Sequence, residues 1–291
     1  MGGGSWTSMA YNTYTTSTRG MDAVTYSNFD FVNTQQVFQM NRMHQDLNPM
    51  NVVRECLDTE EHPKTVPVIL ALDVTGSMGK AAMEVAKKLG VIMEAIYASK
   101  KVPDVEFCIM ALGDLVCDYS PVQISQFESD VRIAEHLDKV YFEGHGGGNS
   151  YESYTAAWYM GLHHCYLDCW KRGKRGIIIT LGDEQLNPYL PKDKLREFIG
   201  DSVQGDVESD DLYKQVCDKY IVHHISVNDQ HSSYKRNNWS GVVDESWKML
   251  GENYHISTIA GLQDMITEII VGNAGADEGA ESVFGTNEIS W

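Results

Sequence analysis

The chain has 291 residues, 43% hydrophobic and 22% charged, with a formal net charge of −18. That is enough apolar material for one large or two small folded units. The charge argues against nucleic acid, because a phosphate backbone would be repelled; it favours cations or basic protein surfaces, or equally serves solubility alone.

No apolar run reaches the roughly 18 residues that a membrane span requires. The N-terminus lacks the charged-then-apolar pattern of a signal peptide. It also misses the myristoylation pattern, because Trp6 stands where a hydroxyl residue is needed. Cysteines 56, 108, 117, 165, 169 and 217 show no secreted-framework spacing. Reduced thiols in a cytosol are the simplest account, so a cytoplasmic location is expected.

Residues 1–65 interleave Trp6, Tyr11, Tyr14, Tyr26, Phe29 and Phe31 with Thr, Ser, Asn and Gly. The segment is too aromatic for a disordered tail and has no sustained helical or alternating period. It reads as an arm packed over the following domain or as a segment that orders on a partner. The first is favoured, because exposed aromatics promote aggregation. A short helix is expected within 46–62.

Val66-Pro-Val-Ile-Leu-Ala-Leu-Asp73 reads as a fully buried central strand. It ends in a small polar turn, Val74-Thr75-Gly-Ser77-Met-Gly79. Met78, Ala82, Val85, Leu89, Ile92 and Ile96 then recur at spacings of 4, 3, 4, 3 and 4, one apolar face of a long helix. Glu84 and Lys88 are expected to pair on its outer face, with Lys100 and Lys101 in its last turn.

Val105–Leu112 is the second strand, ending at Gly113-Asp114, and a third is expected over Val116–Ile124. Ser129 is placed to cap a helix running to about Val140, before a short strand Val140–Phe142. Gly144-His-Gly-Gly-Gly-Asn149-Ser150 opens a helix expected over Tyr151–Trp170. Consecutive glycines let backbone approach a ligand, and a helix N-terminus behind them presents free N–H groups. Gly176-Ile-Ile-Ile-Thr180-Leu-Gly-Asp183-Glu184 is another buried strand ending in acid. Surface helices are expected in 185–218, a strand over Tyr220–Val227 and a helix from a Ser240 cap to Leu250. A short edge strand at Tyr254–Ile256 and a helix carrying Leu262, Met265, Ile266, Ile269 and Ile270 close the pattern. The acidic tail 273–291 is expected to be flexible or loosely docked.

Strands alternating with helices predict an α/β fold: a Rossmann-like three-layer sandwich with a mostly parallel sheet and helices on both faces. The domain spans 66–272, flanked by the 1–65 arm and the 273–291 tail.

Oxygen-bearing residues stand at three strand ends: 73–77, 144–152 and 182–184. The oxygens of Asp73, Thr75 and Ser77 alternate along their turn and suit a hard cation. A helix cap explains one such residue, not three loops of them. The constellation resembles the von Willebrand factor A domain and its metal-ion-dependent adhesion site. The first loop of that family is Asp-x-Ser/Thr-x-Ser, and Asp73-Val-Thr75-Gly-Ser77 fits it throughout. The resemblance covers roughly 66–272 and looks like the family's intracellular type.

The resemblance implies that Thr75 and Ser77 ligate magnesium (or manganese or calcium in its place), with Asp73 acting mostly through bound water. Asp183 matches the acid of the third loop, with Glu184 as a lesser candidate. In the second loop the family often has Gly-Gly-Thr. Here Gly146-Gly147-Gly148-Asn149-Ser150-Tyr151-Glu152 stands instead, and Asn149 or Ser150 supplies the oxygen. An acidic residue of another protein would dock by replacing an exchangeable water on the metal. Intracellular members often act with a MoxR-type AAA+ ATPase or within other multi-protein systems. No general base for hydrolysis is identifiable, so no enzymatic activity is expected.

The alternative is enzymatic. Asp73-Val-Thr-Gly-Ser also resembles the Asp-Lys-Thr-Gly-Thr loop of haloacid-dehalogenase-like phosphotransferases, with Asp73 as nucleophile. Val74 replaces the lysine, and the 144–152 loop has no counterpart there. Other residues weigh less. Cys165 and Cys169 are expected on one helical face near His163 and His164, as packed core thiols rather than a zinc site. Of His223 and His224, inside a strand, one is expected to be buried. His145 sits in the glycine loop, and Asp114 reads equally as a turn residue or a support for the site.

Overall fold

The computed structural model describes residues 4–102, 104–144, 150–230, 232–236 and 239–274. Six strands form one sheet: β1 (Val66–Asp73), β2 (Val105–Leu112), β3 (Val122–Ile124), β4 (Gly176–Gly182), β5 (Tyr220–Val227) and β6 (Tyr254–Ser257). Their order is β6-β5-β4-β1-β2-β3, parallel except for the antiparallel edge strand β3.

Alternate residues along the strands feed two apolar layers. Val68, Leu70 and Leu72 of β1 face one way, into a cluster with α3 (Gly79–Ser99) and α6 (Leu262–Asn273). Ile69 and Ala71 face the other way, into a cluster with α5 (Thr155–His163), Leu212 and Trp247. Burial on both faces is why β1, β2 and β4 read as continuous apolar runs. The fold is a three-layer α/β sandwich. The chain runs from β1 to β2 on one side, then crosses to β4 on the other. The carboxyl ends of β1 and β4 therefore meet at a topological switch point, where open α/β sheets form their crevices.

The N-terminal 65 residues contain two helices that the sequence pattern conceals, α1 (Ser8–Arg19) and α2 (Ala23–Asn28). α1 is rich in hydroxyl residues, which bond back to the preceding turn. Thr13 donates to the Met9 carbonyl (2.9 Å) and Thr16 to that of Asn12 (2.7 Å). Such residues have poor helix propensity, and it is packing that holds α1. Trp6, Tyr11, Val37, Phe38 and Leu47 are buried in the same cluster as β1 and α3. A methyl at Gly90 of α3 would lie 2.4 Å from the Tyr11 ring, so only glycine admits that ring.

Several expected elements differ. Glu84 pairs with Lys87 (3.0 Å) rather than Lys88, whose amine instead reaches Asn28 Oδ1 (3.4 Å). α3 ends at Ser99, and Lys100 is its left-handed cap. The third strand shrinks to Val122–Ile124, because Asp114 folds the preceding residues into a turn by accepting from Val116 N (3.1 Å). Residues 140–142 form no strand; Gln123 ties Tyr141 by its side chain instead. In 46–62 there is a 3₁₀ turn at its start and a strand, Arg54–Cys56, rather than a helix. α4 (Arg132–Asp138) starts three residues after Ser129, whose hydroxyl donates to the Gly4 carbonyl (2.5 Å) instead of capping. Trp239, not Ser240, caps the helix Ser240–Ser246, which then passes into a 3₁₀ segment. The helix expected over 151–170 covers only Thr155–His163. After it Cys165–Leu167 turns extended to pair with Arg54–Cys56. Cys165 and Cys169 thus share no helix.

Candidate functional site

The register of the sheet builds the site. β1 and β4 pair Leu72 with Leu181, so Asp73 and the Gly182-Asp183 step emerge side by side. Both carboxylates are fully buried. Asp73 Oδ1 accepts from its own loop, from Thr75 N (2.8 Å) and Thr75 Oγ1 (2.6 Å). This Asx-type turn reverses the chain into α3. Ser77 Oγ donates to Asp183 Oδ1 (3.1 Å), joining the first loop to the third across the switch point.

Tyr154 locks the two strand ends together. Its hydroxyl donates to Asp73 Oδ2 (2.8 Å) and accepts from the backbone N–H groups of Asp183 (3.2 Å) and Glu184 (3.3 Å). A methyl at Gly182 would lie 2.1 Å from that hydroxyl, which is why glycine precedes Asp183. Ser233, beyond β5, donates its backbone N–H to Asp183 Oδ2 (2.6 Å) and adds a fourth loop. Nothing in the sequence marks Tyr154 or Ser233. Tyr154 is one of 15 tyrosines, and its role depends on where α5 begins.

Burial, then the neighbouring Asp183 charge, pushes the Asp73 carboxyl up to about 7. Glu152 is also buried, and burial followed by the charges of Asp73, Asp118 and Asp114 raises it strongly. Among the described residues its Oε2 has no hydrogen-bond partner. Asp114 both shapes its turn and supports the site: it accepts from Ser153 Oγ (3.3 Å), while Ser153 Oγ accepts from Leu115 N (2.9 Å).

Of the sequence-derived candidates, Asp73, Thr75, Ser77 and Asp183 come together. Glu184 is half-buried next to them and gives its carbonyl to Trp247 Nε1 (3.2 Å). The second loop starts at the first, where Gly144 N donates to the Val74 carbonyl (3.3 Å). It returns beside the third, where Tyr151–Glu152 pairs in parallel with Gln185–Leu186. Ser150 stands at that return, its carbonyl accepting from Gln185 Nε2 (3.4 Å). Asn149 and His145 lie outside the described residues. Among the described residues, no three His, Cys, Asp or Glu side chains converge on a point that would hold a metal ion.

No family model matches the chain, and no curated protein matches it. Solved structures do. The pilus adhesin SpaC from Lactobacillus rhamnosus GG is similar at 12% identity and a TM-score of 0.47, over 79% of this chain and 33% of that one. The vWF domain of the type V pili tip protein Mfa5 from Porphyromonas gingivalis is similar at 13% identity and a TM-score of 0.41, over 76% of this chain and 99% of that one. Proximal thread matrix protein 1 from the mussel byssus gives 13% identity and a TM-score of 0.41, over 72% and 45%. The chain thus spans 33% of the adhesin's length. Among the described residues no helix is long and apolar enough to cross a membrane.

Proposed function

We propose that the chain is a protein–protein interaction module whose docking position is a magnesium ion at the carboxyl ends of β1 and β4. The observation that carries this reading is the hydrogen bond from Ser77 Oγ to Asp183 Oδ1, between two loops 106 residues apart in sequence. It gathers a hydroxyl of the first loop and the acid of the third. Asp73, fully buried behind them, takes hydrogen bonds from Thr75 N, Thr75 Oγ1 and Tyr154 Oη, all uncharged donors. Burial, then the neighbouring Asp183 charge, raises the Asp73 carboxyl, and a bound cation would relieve both. Carboxylate and hydroxyl oxygens suit a small hard one.

In this reading Thr75, Ser77 and Asp183 hold the metal, with Asn149 or Ser150 adding an oxygen and Asp73 orienting the loop. The bound ion would supply an exchangeable coordination position for a carboxylate. The partner is then a protein presenting Asp or Glu, and an AAA+ ATPase of the MoxR type is the class to try first. Phosphotransfer from Asp73 is the weaker reading. A nucleophile needs an open oxygen, whereas Asp73 is fully buried and both its oxygens accept hydrogen bonds.

A ligand bound only by the folded state raises the melting temperature by mass action. Magnesium should therefore raise the Tm of the native chain, and Ser77→Ala and Asp73→Ala should lose that shift. An equal shift in both variants refutes the site. Partner capture with and without EDTA then tests whether docking depends on the metal.

A further inference from the structure

A second pair of ligand-type side chains lies away from the switch point, between β5, the edge strand β6 and α6. His223 is in the middle of β5 and His255 on β6, where the parallel register pairs His255 with Ile225. His223 reaches it diagonally. His223 Nδ1 stands 3.0 Å from His255 Nε2, with the ring planes 16° apart. His224, its neighbour in sequence, points to the opposite face, where it stacks on Trp247 at 3.6 Å and bonds Thr180.

The surroundings fix the protons. Asn273 Nδ2 donates to the Ile269 carbonyl (2.7 Å), which orients its amide, and the same nitrogen lies 3.1 Å from His223 Nε2. His223 Nε2 therefore accepts, and Nδ1–H donates to His255 Nε2. Burial favours the neutral form of both rings: it lowers His223 to about 4, helped by His255, and also lowers His255. Neutral imidazole is the ligand form, and two such nitrogens on a tetrahedral ion with bonds of about 2.0–2.1 Å stand about 3.3 Å apart. The observed spacing is near that value. His223 is buried, and His255 is half-buried on the edge strand of the sheet.

We propose that His223 and His255 form a two-imidazole site for a borderline divalent cation of the zinc, nickel and copper class, with water completing its shell. Nitrogen donors select these ions over magnesium, so the site is chemically distinct from the hydroxyl–carboxylate cluster at Asp73. Binding forms metal bonds at His223 Nδ1 and His255 Nε2. The Nδ1 proton passes to His223 Nε2 by tautomer exchange, and Asn273 Nδ2 leaves that nitrogen while keeping the Ile269 carbonyl; no proton is lost overall. Asn273 thus sets the tautomer of the metal-free pair.

The test is nickel binding to the full chain by calorimetry, with magnesium in excess to occupy any oxygen site. One ion per chain is expected. His255→Gln, at the half-exposed edge, should weaken it at least tenfold, His223→Gln likewise, and His163→Gln should leave it unchanged. Thermal melts confirm that the variants fold. Absence of binding in the native chain, or equal affinity in His255→Gln, overturns the proposal.

Discussion

Tyr154 and Asp73 form the tie that closes the crevice: a phenol from the start of α5 donates to a buried carboxylate at the end of β1 across 2.8 Å. The same oxygen accepts two backbone N–H groups from the loop after β4. One side chain thus sets the separation of two strand ends without entering either strand.

Tyr154→Phe removes that donor and that acceptor together. It should cost about 2–4 kcal/mol, since buried groups left unpaired each cost about 1–3 kcal/mol. Urea titration measures it. A loss below about 1 kcal/mol would mean that water replaces the hydroxyl. The Tm shift proposed for magnesium should shrink in parallel, because the loop carrying Asp183 loses a tether.

Gly182→Ala attacks the same contact from the other side. The added methyl falls on the Tyr154 ring and hydroxyl, a part of the side chain with no room to swing inside a closed core. Overpacking of this kind costs about 1–3 kcal/mol. Combined with Tyr154→Leu, which removes the clashing ring, the penalty should fall, and a double-mutant cycle reads that coupling.

The two loops at the ends of β1 and β4 were legible because their signals are local. A run of apolar residues ending in Asp73 or Gly182-Asp183 announces a buried strand and a polar turn together, and parallel pairing then brings the turns side by side. Tyr154 was not legible, because the start of α5 depends on Ser153 tethering the chain to Leu115 and Asp114, a contact made across 38 and 39 residues. The arm was half legible. Its aromatic content predicted packing, but α1 has hydroxyls where a helix pattern has aliphatics. The His223–His255 pair needed the register of two strands that say nothing in sequence about their alignment.

His136 gives a pH dependence. It is buried on α4, its Nδ1 has no hydrogen-bond partner among the described residues, and burial, then Lys139 and Arg54, lowers it to about 4. The folded state therefore disfavours the proton that the unfolded chain takes up near 6.5. This contribution is complete above about pH 6.5 and is lost as pH falls toward 4; its full size is up to about 3 kcal/mol. In His136→Gln, denaturant-derived stability should fall less steeply than in the native chain over that window. Parallel curves would contradict the burial argument.

The arm is held by a charge that cannot be left alone. Arg19, at the end of α1, pairs with Asp138 at the end of α4, with side-chain exposures of 7% and 29%. Tyr14 Oη donates to the same carboxylate (2.5 Å), and Arg19 also donates to the Val37 carbonyl (3.0 Å). Arg19→Met keeps the apolar stem but strands Asp138. Asp138→Asn strands the guanidinium. Breaking a fully buried pair costs about 3–5 kcal/mol; partial exposure of Asp138 lowers the expectation here to about 1–3 kcal/mol. The double variant should be less destabilised than the sum of the two, since neither charge is then uncompensated. Because Tyr11 packs on Gly90 only while α1 is docked, each single variant should also speed proteolysis within residues 1–65. Additive energies with unchanged cleavage would show that the aromatic contacts alone hold the arm.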